Sequence, residues 1–110
     1  DGRCQMEKLL ALKNRPDAVY AASDYAALGA LQILNEKGIK VPEEIKLVGF
    51  GNEPFTSLVT PSITSVSQHS EQIGRLAAET FLGYVEIDDV DQSLNKIILD
   101  SELIIRTSSK

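Results

Sequence analysis

The chain has 110 residues, 43% of them hydrophobic and 25% charged, with a formal net charge of −5. This is a globular composition with room for one small domain and a modest core, and no stretch approaches the roughly 18 consecutive apolar residues of a membrane-spanning helix. The acidic balance, with a pI near 4.8 and scattered Lys and Arg, makes the segment by itself a poor nucleic-acid binder, and the single cysteine, Cys4, excludes an internal disulfide and a cysteine-rich zinc site.

The first residue is Asp1, which reads as the start of a fragment or processed product, with no signal-peptide pattern at the visible start. Residues 4 to 14 carry Met6, Leu9 and Leu10 at helical spacing. Asn14-Arg15-Pro16-Asp17 is a stop and a turn. The short apolar run Ala18 to Ala22 fits a strand covered on both faces. Ser23-Asp24 offers an N-cap oxygen to a helix over Tyr25 to Lys37, with Leu28, Leu31 and Leu34 apolar and Gly38 as its stop.

Lys46 to Phe50 is a second buried strand, so strand, helix and strand form a right-handed βαβ unit. Asn52 to Val59 is a loop or a single helical turn, with Pro54 suited to an early helix position. Ile63 to Val66 is a third strand. Ser70 to Tyr84 is an amphipathic helix, with Ile73, Leu76, Ala77 and Phe81 on one face and Ser67 or Ser70 as cap. Glu86 to Asp91 is an acidic loop. Ile97 to Leu99 and Leu103 to Ile105 are two strands or one bent strand, and Thr107 to Lys110 is a polar tail.

Most chemistry-bearing residues read as ordinary structure. Gly49-Phe50-Gly51 lacks the third glycine of a dinucleotide fingerprint and serves as a permissive strand exit. His69 and Ser70 are sequence neighbours and cannot adopt the geometry of a catalytic triad, so His69 is a solvated residue at a helix start. Asp88, Asp89 and Asp91 lack the glycine and terminal glutamate of a calcium loop. No metal site, cofactor site or acid/base frame emerges, and the chain reads as no enzyme. Ser23, Asp24, Gly51, Asn52 and Gln68 differ in position: each follows or ends a predicted strand, where α/β ligand sites form. The pattern admits two readings of them, a ligand cleft or mere capping and turning.

Three ordered motifs carry a family resemblance. They are Pro16 to Asp24 followed by Ala27-Leu28-Gly29-Ala30; Gly38 with Val41-Pro42-Glu43-Glu44 through Val48-Gly49-Phe50; and Thr60-Pro61-Ser62-Ile63-Thr64-Ser65-Val66-Ser67-Gln68. Gly74 with Ala77-Ala78 continues the third, and Leu103-Ile104-Ile105-Arg106 is similar to the usual ending. With these the chain resembles the lactose-repressor (LacI) family of transcription regulators along nearly its whole length.

The resemblance implies an α/β, periplasmic-binding-protein-like fold with a mostly parallel sheet flanked by helices. It implies that residues 1–110 are a C-terminal fragment of the effector-binding domain. Residues 1–67 and 94–110 would lie in the C-terminal lobe, and 68–93 would form a crossover and a helix of the N-terminal lobe, leaving that helix's apolar face in need of a partner. The family's helix-turn-helix would lie outside this chain, so DNA would be met only through it.

Effector contacts would fall on Ser23, Asp24, Gly51, Asn52 and Gln68. Members of the family often carry asparagine at the position of Ser23 and aspartate at that of Gly51. Ser23 keeps a short donor and acceptor, whereas Gly51 offers only backbone. A sugar or related small metabolite is the implied effector and a cytoplasmic homodimer the implied assembly, with Leu28, Phe55 and Leu58 as contacts to the partner copy. A fragment of a periplasmic sugar-binding transport protein, which shares the lobes, is the alternative.

Overall fold

The computed structural model of the protein describes residues 2–85 and 96–110. Strands β1 (Ala18–Tyr20), β2 (Lys46–Phe50), β3 (Thr64–Ser67) and β4 (Glu102–Ile104) form one sheet in that order. The first three are parallel, with Val19 opposite Leu47 and Gly49 opposite Ser65. β4 closes the sheet antiparallel, with Ser65 opposite Ile104. Helices α1 (Gly2–Leu10), α2 (Asp24–Glu36) and α3 (Ser70–Val85) and the 3-10 turns Pro54–Ser57 and Thr107–Ser109 complete the described elements. This is the expected α/β class with a mostly parallel sheet.

α2 is specified at both ends. The Ser23 hydroxyl accepts the Ala26 N–H at 3.2 Å, which satisfies one orphan donor of the first turn. At the other end Gly38 takes φ +69°, its N–H bonds Asn35 O at 3.1 Å, and the Ile39 N–H bonds Leu34 O at 2.9 Å. That is a Schellman stop, and it needs the left-handed residue that glycine supplies at no steric cost. Between the caps, Ala27, Ala30, Leu31 and Leu34 fall on one face and bury against Met6 of α1, Leu47 of β2, Ile45 and Ile63. Each large aliphatic side chain buried there contributes about 2 kcal/mol. Arg3 adds a two-pronged ion pair to Glu36, both N–O distances 2.9 Å, that ties α1 to the end of α2.

Several sequence expectations shift. α1 stops at Leu10 rather than running to Asn14, because the turn before Pro16 disfavours helix and Leu12 is exposed, with no core to hold another turn. β1 ends at Tyr20, and it is not covered on both faces: it is the outer strand of the described sheet, with Ala18 and Tyr20 exposed. β3 is displaced by one residue, to Thr64–Ser67. Residues 97–99 form no strand, so the two apolar runs yield the single strand Glu102–Ile104. The acidic run 86–91 lies outside the described residues.

The polar tail Thr107 to Lys110 is packed onto the sheet, with Thr107–Ser109 in a 3-10 turn. Ser108 is fully buried, its hydroxyl donates to Leu47 O, and it accepts the Thr64 N–H at 2.9 Å. The tail is thereby bonded to both central strands.

α3 forms where its periodicity predicts, but buries none of its residues among the described ones. Ile73 is 44% exposed and Phe81 65%. With residues 97–101 it flanks an open groove of about 600 Å³ lined by Ile73, Leu76, Phe81, Tyr84, Ile97 and Leu99. No helix among the described residues is long and apolar enough to cross a membrane.

Candidate functional site

Because β1, β2 and β3 are parallel, their C-terminal ends open on one edge of the sheet. The chain therefore gathers Ser23–Asp24, Gly51–Glu53 and Gln68–His69 there, the end at which α/β sheets build ligand crevices. What holds these exits in place is a buried set of hydrogen bonds centred on Asp24. Its side chain is fully buried; Oδ1 accepts the Ser65 hydroxyl at 2.7 Å and Oδ2 accepts the Glu53 N–H at 2.7 Å. Ser65 Oγ in turn accepts the Asn52 N–H at 2.9 Å. Gly49 is required beside it, since a Cβ there would run into Asp24 Oδ1. The exit of β2 turns sharply, with φ +124° at Gly51 and +55° at Asn52, the second tolerated because asparagine enters the left-handed region more readily than most residues.

Arg106 completes the frame from the far end of the chain. Its guanidinium donates to Ile63 O at 2.8 Å and to Asn52 Oδ1 at 2.7 Å, and its own N–H donates to Thr64 Oγ1 at 2.7 Å. The resulting frame has no buried side-chain nitrogen or oxygen left without a partner among the described residues.

In front of this frame lies a polar pocket of about 450 Å³. Gly51 and Asn52 line it from the β2 exit, Ser67 and His69 from the β3 exit, and Ser70, Glu71, Gln72 and Arg75 from the first turns of α3. The lining mixes amides, hydroxyls, an imidazole, a carboxylate and a guanidinium, so it can both donate to and accept from a small polyhydroxylated molecule. His69 has φ +53° and bonds Ser67 Oγ through its backbone N–H at 3.4 Å. Among the described residues no cluster of His, Cys, Asp or Glu could hold a metal ion.

The five candidates from the sequence thus separate. Gly51 and Asn52 line the polar pocket. Ser23 caps α2, and Asp24 lies behind the pocket wall with both carboxylate oxygens engaged. Gln68 is exposed and lines the neighbouring apolar groove. Sequence reasoning missed Ser65, Ser67, Arg75 and Arg106; the hydroxyl-rich run Thr64-Ser65-Val66-Ser67 was the available signal for the first two. Of the candidate partner-contact residues, Leu28 and Phe55 are half-buried and Leu58 is 80% exposed. The Phe55 ring packs against Tyr25, itself 67% exposed, with centroids 5.0 Å apart.

A mostly parallel sheet with a polar pocket at its strand exits is the arrangement of an α/β ligand-binding lobe. The model of the periplasmic binding protein-like domain matches residues 2–109. The chain is 37% identical over 109 residues to the HTH-type transcriptional repressor CytR of Escherichia coli (strain K12), covering 99% of this chain and 31% of that protein. It is 35% identical over 103 residues to the probable HTH-type transcriptional repressor ExuR of Bacillus subtilis (strain 168), covering 94% of this chain and 30% of that one. Among solved structures, a LacI-family transcriptional regulator from Lactobacillus casei with bound sucrose superposes with a TM-score of 0.82 and 29% identity, over 98% of this chain and 39% of that one. The chain belongs to the LacI family of transcriptional regulators. It spans about 30% of the length of these curated relatives.

Proposed function

We propose that this chain is the C-terminal part of the effector-sensing and dimerisation domain of a DNA-binding transcription regulator, and that the effector is a sugar or related small metabolite. The observation that carries the reading is the polar pocket where the exits of β2 and β3 meet the start of α3, braced from behind by a buried hydrogen-bond frame. The sucrose bound in the Lactobacillus casei neighbour supports the ligand class.

Residues 1–67 and 94–110 form the C-terminal lobe, and 68–93 cross into the N-terminal lobe. The unburied apolar face of α3 supports this division, since such a face is stable in water only when another layer covers it. Asn52 and the Gly51 backbone contact effector directly, Ser23 and Asp24 shape the wall, and Gln68 lies at the crossover. Leu28, Phe55 and Leu58, with Tyr25 packed on Phe55, form the apolar contact with a second copy. DNA is met through the helix-turn-helix of the complete regulator, a cytoplasmic protein with no catalytic step. That the relatives are repressors favours regulation over the transport alternative.

Fluorescence anisotropy of the full-length protein on DNA from its own promoter, with and without sucrose, ribose or glucose, tests the reading. Sequence-specific binding shifted by one of the sugars is the expected result. Sugar binding without any DNA affinity would favour the transport protein.

A further inference from the structure

Asn52 lines the polar pocket, and its Oδ1 accepts an N–H from Arg106 at 2.7 Å. Arg106 is itself immobilised: its other terminal nitrogen donates to Ile63 O at 2.8 Å, and its main chain exchanges hydrogen bonds with Thr64 Oγ1 at 2.7 and 3.1 Å. A guanidinium has donors only. It can hold a carboxamide by the oxygen and never by the nitrogen, so the two ends of the Asn52 side chain are not interchangeable. The Asn52 backbone is fixed as well, its N–H bonded to Ser65 Oγ at 2.9 Å and the next N–H to Asp24 Oδ2 at 2.7 Å. With backbone and Oδ1 both committed, Nδ2 is the end left to offer, and it engages no other protein atom among the described residues.

We infer that Arg106 is a specificity-setting, positioning residue of the effector site: by gripping Oδ1 it orients the Asn52 carboxamide so that its N–H donors are the end presented to the pocket. The effector then meets this wall with an oxygen that accepts, such as a hydroxyl, ring or carbonyl oxygen, and a group that only donates, such as an ammonium, is disfavoured there. Arg106 touches no ligand in this scheme and acts through Asn52. The inference rests on the proposed effector site, deepening it by assigning the polarity of one wall.

The test uses the full-length protein labelled with ¹⁵N at asparagine. In the wild type the Asn52 side-chain amide is ordered, with a high heteronuclear NOE. In Arg106→Met, which keeps the length and removes every donor, that order is lost, and in Arg106→Lys, which keeps a donor, it is largely regained. Titration with sucrose, ribose and glucose gives the second readout. Whichever sugar the wild type binds loses about tenfold in affinity in Arg106→Met, the worth of one ordinary hydrogen bond. The double variant Arg106→Met/Asn52→Ala loses no more than Asn52→Ala alone.

A disordered Asn52 amide in the wild type overturns the inference whether or not the variants fold. So does unchanged order or unchanged affinity in Arg106→Met, or additive losses in the double variant. A wild type that binds none of the sugars counts against the sugar reading, and the amide order then decides the role of Arg106.

Discussion

The hydroxyl of Ser65 donates to Oδ1 of Asp24 at 2.7 Å, joining the middle of β3 to the first residue of α2 across 41 positions of sequence. The same oxygen of Ser65 receives the Asn52 N–H, so one buried pair sets the distance between all three strand exits. Asp24→Ala leaves the Ser65 hydroxyl and the Glu53 N–H without their partner. The expected loss is about 3 kcal/mol, from two polar groups left unsatisfied in a buried site. Urea unfolding of the full-length protein measures it, and a loss under about 1 kcal/mol would mean that water replaces the carboxylate.

Gly49 and Gly38 are glycines for different reasons. A Cβ at Gly49 collides with the committed Asp24 Oδ1, whereas one at Gly38 meets nothing within 4 Å and only the φ of +69° resists it. Gly49→Ala therefore costs about 3 kcal/mol, by overpacking. Gly38→Ala costs about 1 kcal/mol, by left-handed strain alone. Equal unfolding midpoints for the two variants would contradict this division.

Much of this architecture is legible in the sequence where local chemistry decides. The Ser23 cap, the Gly38 stop and the apolar stripe of α2 act within a few residues of one another, and they place the helix to within a residue of its observed bounds. The buried frame is not legible that way. Ser65 and Ser108 look like surface hydroxyls in any local window; only pairing with partners 41 and 61 positions away buries them. Arg106 reads as an ordinary charged residue after a strand until β4 returns antiparallel beside β3. Gln68 follows a strand just as Gly51 does, yet it lines the apolar groove, because residues 68 and 69 turn the chain away from the sheet into α3.

Two carboxyls at the periphery of the fold link its stability to pH. Hydrogen bonding to Arg3 holds the Glu36 carboxyl below the usual glutamate range, and the Lys40 N–H, together with Arg15, does the same for Glu44. Both folded values are depressed, so the stability these groups contribute is present above the usual glutamate pKa and is lost as pH falls through the folded values. Both pairs are exposed, so the effect is small and screened by salt. The Glu36→Gln/Glu44→Gln variant shows a shallower fall of the urea midpoint between neutral pH and about pH 3 than the wild type. Parallel curves would show that other groups govern the acid limb.

Exposed Tyr25 and Leu58, with the half-buried Phe55 packed on Tyr25, give the proposed dimer a specific weak point. Leu58→Asp puts a charge on a residue that is 80% exposed in the single chain, so the protomer fold is retained. Analytical ultracentrifugation should find the full-length variant shifted towards monomer with an unaltered circular dichroism spectrum. An unchanged dimer mass would move the interface elsewhere on the lobe.

The claim at the centre of the account is that effector sits in the polar pocket at the strand exits, and calorimetric titration of the full-length protein beside its Ser70→Trp variant tests it most directly. Ser70 is an exposed lining residue at the start of α3, so tryptophan there fills the pocket without entering the core. The account predicts that the wild type binds sucrose, ribose or glucose and that Ser70→Trp binds none of them, at an unchanged unfolding midpoint. Equal affinity for the same sugar in both proteins would contradict it and place the effector outside this pocket.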